Sequence, residues 1–150
     1  MIKRTSLGLL LVLAFGAAGA RASDKASYLH FMNGVMLERK GSYDSALQEY
    51  KTTMMLDPQS VFVYKQAMNL ALHIGKVGEA EEWANYVIRV DSASAENWVL
   101  YGNVQWAKGD AEAARAAFEK AVSLDNENTE AVYQLASLWS AKNPDKAIEY

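Results

Sequence analysis

Ala95–Asn128 reads AENWVLYGNVQWAKGDAEAARAAFEKAVSLDNEN. In its first half, Trp98, Tyr101, Gly102 and Gln105 recur at helical spacing and share one face, which predicts a helix over Ala95–Lys108. Gly109-Asp110 breaks that helix, because glycine readily takes the positive φ that ends a helical run. The second half predicts another helix over Ala111–Leu124, with Ala114, Ala117, Phe118 and Ala121 on one face. Asp125-Asn126 closes the stretch with residues that favour turns and N-caps. No alternating Val/Ile/Thr-rich run occurs, so no strand is expected.

The same arrangement recurs on both sides with a period of 34 residues: Gly41, Gly75, Gly109; Ala46, Ala80, Ala114; Leu56, Val90, Leu124. Gly34, Met68, Gly102 and Ala136 keep the step, as do Asn69 and Asn103. Several independent columns with one period mark a repeat architecture. The units are 27–60, 61–94 and 95–128, with a partial fourth over 129–150. Each unit is expected to be a helix, a glycine turn and a second helix. Small residues at Gly34, Gly102 and Ala136 on first helices, and at Ala46, Ala80 and Ala114 on second helices, are the expected close-packing positions. Met68 departs from this pattern by putting a large residue at the small position of unit two.

Residues 1–22, MIKRTSLGLLLVLAFGAAGARA, have a different character. Lys3 and Arg4 precede an apolar stretch, and Ala20-Arg21-Ala22 makes an A-x-A site, with Ala18-Gly19-Ala20 as the alternative; this is the three-part pattern of a secretory signal peptide. The apolar run of 14 residues, Leu7 to Ala20, is short of the roughly 20 that a spanning helix needs. Cleavage after Ala22 is therefore expected, leaving 23–26 as a lead-in. It removes three basic residues and no acidic one, so the formal charge moves from −3 to −6. An acidic chain lacks the basic footprint of a nucleic-acid binder. The absence of cysteine excludes disulfides, thiolate metal sites and a thiol nucleophile. Together with an export signal, it points to a bacterial envelope, with the periplasm as the expected compartment.

The units resemble the tetratricopeptide repeat (TPR), whose pattern W-x2-L-G-x2-Y…A-x3-F…P has this period. Unit three carries Trp98, Tyr101, Gly102, Gly109, Ala114, Phe118 and Ala121. Unit one supplies Gly34, Leu37, Gly41, Tyr43, Ala46, Tyr50 and Pro58, and unit two Tyr64, Ala67, Gly75, Ala80, Ala84 and Val87. The resemblance implies an all-α, right-handed superhelical solenoid of antiparallel helix pairs, with three full repeats and a partial fourth. It further implies a concave groove lined by first helices. On peptide-binding members the groove positions are the second, fifth, ninth and twelfth of each unit. Here they hold Tyr28, Phe31, Val35 and Glu38; Phe62, Lys65, Asn69 and Leu72; Glu96, Val99, Asn103 and Trp106; and Glu130, Tyr133, Ser137 and Ser140.

Asn69 and Asn103 stand at equivalent places, and an amide can both donate to and accept from a peptide backbone. Phe31, Phe62, Trp106 and Tyr133 offer apolar pockets or inter-repeat packing. The carboxylate clamp of chaperone-binding TPR domains is not expected, since Phe31, Val35, Glu96 and Leu100 replace its basic and amide residues. His30 and His73 sit in no metal spacing, and no phosphate-binding glycine motif occurs. His30 takes the place that tryptophan usually holds and is expected to be a partly buried packing residue. The expected function is a non-catalytic protein- or peptide-binding scaffold or adaptor of the cell envelope, without cofactor or metal. Self-association through the unfinished fourth repeat, or service as a docking segment in a longer protein, are the alternatives.

Overall fold

Three glycines with left-handed φ values of 76°, 75° and 90°, at Gly41, Gly75 and Gly109, punctuate the chain. Each closes its helix in the same way. The glycine N–H bonds the carbonyl three residues back, and the next N–H bonds the carbonyl five back: Gly41 to Glu38 and Ser42 to Leu37, Gly75 to Leu72 and Lys76 to Ala71, Gly109 to Trp106 and Asp110 to Gln105. This double bond pattern satisfies carbonyls that a helix end otherwise leaves open. The turn is thus encoded locally and repeated at one register.

The computed structural model describes residues 24–142. Among these the chain is all α-helical, as the periodicity predicts: α1 (residues 24–39), α2 (Tyr43–Leu56), α3 (Val61–His73), α4 (Val77–Val90), α5 (Ala95–Lys108), α6 (Ala111–Leu124) and α7 (Thr129–Lys142). The expected leader and the end of the partial fourth unit, residues 143–150, lie outside the described residues. No described helix is long and apolar enough to cross a membrane. Later helix starts carry side-chain caps. Asp110 Oδ1 accepts from the Ala113 N–H at 3.0 Å, and Asn128 Oδ1 from the Ala131 N–H at 2.9 Å. Such caps are worth about 1 kcal/mol each.

The chain divides into two compact units, one ending at Val63 and one beginning at Tyr64. In the first, α1 and α2 close around Tyr50. A Cβ placed on Gly34 would lie 2.6 Å from Tyr50 Cε1, so the ring occupies the space that the glycine leaves. The Tyr50 hydroxyl donates to Glu38 Oε2 at 2.6 Å, and the Phe31 ring stacks on Tyr50 at 5.7 Å between centroids. Burial pushes the Tyr50 phenol well above its usual range, and the Glu38 carboxylate adds to the effect. His30, besides its half-buried packing, bonds Glu49 Oε2 through Nδ1 at 2.6 Å.

In the second unit α4 packs on α5, α5 on α6, and α7 on both α5 and α6. The core there comprises Ala95, Val99, Ala114, Phe118, Ala121, Ala131 and Leu135, with Trp98 and Trp139 against it. A Cβ on Gly102 would lie 2.4 Å from Phe118 Cε1. Ala46, Ala80 and Ala114 are each fully buried, whereas Ala136 is only partly so. Met68 and Ala84 are buried at the places that Gly34 and Tyr50 hold one period earlier and Gly102 and Phe118 one period later. Unit two therefore puts the large residue on the first helix and the small one on the second. That exchange conserves volume and accounts for the departure at Met68.

Candidate functional site

Helix α1 carries Tyr28 and Phe31 one turn apart, and the first turn of α3 carries Phe62. The Asp57–Ser60 connection is short, and the Ser60 N–H bonds the Asp57 carbonyl at 3.4 Å. It starts α3 where Phe62 meets Phe31, with ring centroids 5.4 Å apart. These rings bound a cavity of about 390 Å³ together with Val63 and the polar Asp24, Ser27, Thr53, Asp57 and Ser60. Tyr28 and Phe62 remain 62% and 56% exposed, which is high for aromatic rings beside one apolar cavity. Phe31 is half-buried between Tyr50 and Phe62, so it both packs and lines the cavity. Three of the expected groove residues thus converge. Val35, one helical turn further along α1, is half-buried and outside this lining.

A second, smaller cavity of about 240 Å³ lies in the other unit, lined by Glu96, Val99, Leu100, Asn103, Asn128 and Glu130. Val99 differs from expectation. It is buried in the α5–α6–α7 core rather than displayed, because α7 packs over this part of α5, and only its edge reaches the cavity. Lys65 is directed to Glu96, with Nζ 2.9 Å from Oε2. Its ammonium is thereby committed to a neighbouring first helix. Asn69 is exposed and Asn103 half-buried, and neither amide has a hydrogen-bonding partner among the described residues. Trp106 and Tyr133 are exposed at 54% and 68% and line neither cavity.

Asn97 lacked a role in the sequence pattern. Fully buried, it donates from Nδ2 to the Asp91 carbonyl at 2.9 Å and to the Asp91 carboxylate at 3.1 Å. It pins the α4–α5 connection, while the Trp98 indole N–H bonds the Ser92 carbonyl at 2.8 Å. An Asp six residues before an Asn was visible, but nothing in the spacing pointed to the bracket. Among the described residues no group of three or more histidine, aspartate or glutamate side chains is placed to hold a metal ion. The first unit offers apolar rings and carboxylates around its cavity, and the second unit offers two amides; each set by itself suits recognition of a polypeptide.

Known proteins resemble this chain in sequence and in fold. A tetratricopeptide-repeat family model matches residues 95–128. The human tetratricopeptide repeat protein 7B is 31% identical over 96 residues, which is 63% of this chain; the chain spans 11% of that relative's length. A crystal structure of MamA superimposes with a TM-score of 0.74 at 25% identity, covering 84% of this chain and 69% of that one. The first TPR of Spaghetti (RPAP3), solved bound to the HSP90 peptide SRMEEVD, gives a TM-score of 0.70 at 20% identity over 78% of this chain and 93% of that one. The fold is that of the TPR solenoids, and the matches support the TPR family.

Proposed function

We propose that this chain is a non-catalytic scaffold or adaptor that binds a protein or peptide segment through its first-helix faces, and that it works in the bacterial cell envelope after export. The observation that carries the binding reading is the convergence of Tyr28, Phe31 and Phe62 on one cavity, with two of the three rings left largely in solvent. Exposed aromatic rings beside a preformed cavity are the usual anchors of a recognition surface. The peptide held by the RPAP3 repeats shows that this fold can serve such a purpose. Export is supported by the basic start, apolar run and A-x-A site of residues 1–22.

Two measurements test the two halves. Peptide-array binding by the purified protein should fall about tenfold or more in Tyr28→Ala and Phe62→Ala, the loss typical of anchor residues, while melting temperature holds. Unchanged binding would remove the groove reading. N-terminal sequencing of the protein from fractionated cells should find Ser23 first, in the periplasmic fraction. Cytoplasmic protein with Met1 intact would remove the envelope reading.

A further inference from the structure

Both charged residues lining the α1–α3 cavity are acidic: Asp24 at the described start of α1, and Asp57 at the end of α2. The Asp57 backbone is spent locally, its N–H on the Thr53 carbonyl at 2.8 Å and its carbonyl on the Ser60 N–H. Neither carboxylate has a partner among the described residues. Between them lies an apolar surface of Tyr28, Phe31, Phe62 and Val63. An acidic peptide terminus would meet repulsion from these two carboxylates. A lysine or arginine beside a large apolar side chain would place the apolar group against the rings. Its positive charge would then lie at the carboxylates, where charge complementarity adds selectivity and speeds encounter.

We infer that this cavity recognises a polypeptide segment in which a basic residue adjoins an aromatic or aliphatic one. The inference rests on the peptide-binding reading above and assigns its partner a charge opposite to that of acidic C-terminal ligands. The volume of about 390 Å³ is enough for one large side chain and its adjoining backbone. The long aliphatic stem of lysine or arginine can lie along the rings while its head reaches the rim.

The test uses the purified protein and three pools of end-blocked heptapeptides. Each pool has a central Leu-Phe pair flanked by lysine, by glutamine or by glutamate, with the outer positions randomised. Fluorescence anisotropy at low salt should show the lysine pool binding about tenfold tighter than the glutamate pool, at about two- to fivefold per exposed carboxylate. The gap should narrow as salt is raised. Asp24→Asn combined with Asp57→Asn should close the gap while leaving the glutamine pool unchanged, and Asp24→Lys should move the preference toward glutamate. Tyr28→Ala should weaken all three pools alike. Equal binding of the three pools, or a gap that survives the double variant, overturns the charge assignment and leaves peptide binding standing. Binding of none of the pools overturns both.

Discussion

Replacing Gly102 with alanine sets two well-known effects against each other. Alanine in mid-helix is favoured over glycine by about 0.8–1 kcal/mol, so propensity alone predicts stabilisation. The structure predicts the opposite. The added Cβ would sit 2.4, 2.8 and 2.9 Å from Phe118 Cε1, Cδ1 and Cζ. Phe118 is fully buried and surrounded by Ala114, Ala121, Ala131 and Leu135, so its ring has no vacant direction in which to retreat. Overpacking of this kind costs about 1–3 kcal/mol. Against the propensity gain, the net is a loss of up to about 2 kcal/mol. For a chain of this size that corresponds to a melting temperature lower by up to about 8 °C. The assay is a thermal melt followed by circular dichroism on wild type, Gly102→Ala, Phe118→Leu and the double variant. Leucine clears the crowded ring atoms, so the double variant should lose less than the sum of the singles, with a coupling of about 1 kcal/mol. A Gly102→Ala melting temperature above wild type, or singles that simply add, would refute the close-approach argument.

Gly109→Ala should cost about 1–2 kcal/mol by a different route, since φ there is 90° and space is open, whereas Gly78→Ala in α4 meets no atom within 4 Å and should stabilise by about 0.5–1 kcal/mol; denaturant melts of the two variants give both signs. Met68→Gly and Ala84→Phe should each destabilise by about 1–4 kcal/mol, one by emptying and one by overfilling, while the double variant recovers most of the loss; urea midpoints measure the recovery. Tyr50, raised by burial and by Glu38, favours its neutral form when folded, so the stability it contributes is complete below about pH 10 and is lost as pH rises past that value. Denaturant titrations at pH 8 and above pH 10 should therefore show a steeper alkaline decline for wild type than for Tyr50→Phe, and ultraviolet titration should find Tyr50 ionising late among the eight tyrosines.

The turns and helices were readable because they depend on local chemistry. A glycine at positive φ and an apolar face at 3.6-residue spacing are both written in consecutive residues. The Gly34 and Gly102 positions could be read from the period, but the rings that fill them sit on another helix, and their closeness needed coordinates. Position-counting fixes a direction around α5 but not what α7 brings over it, which is why Val99 is buried while it still borders the second cavity. The sequence places His30 as a packing residue, whereas its bond to Glu49, 19 residues on, depends on how α1 lies against α2. The cavity was visible only as separate aromatic letters. Its convergence comes from the short Asp57–Ser60 connection, which sets Phe62 beside Phe31.

The exchanged sizes at Met68 and Ala84 bear on how the chain avoids mispairing. Near-identical neighbouring hairpins invite a helix to dock on the wrong mate. Here, α1 joined to α4 would set Gly34 opposite Ala84 and leave a hole, while α3 joined to α6 would drive Met68 into Phe118. Each wrong partnership carries its own penalty, one of emptiness and one of collision. The alternation would thus penalise docking between neighbouring hairpins, while α1 on α6 or α5 on α2 would again set a glycine against a ring.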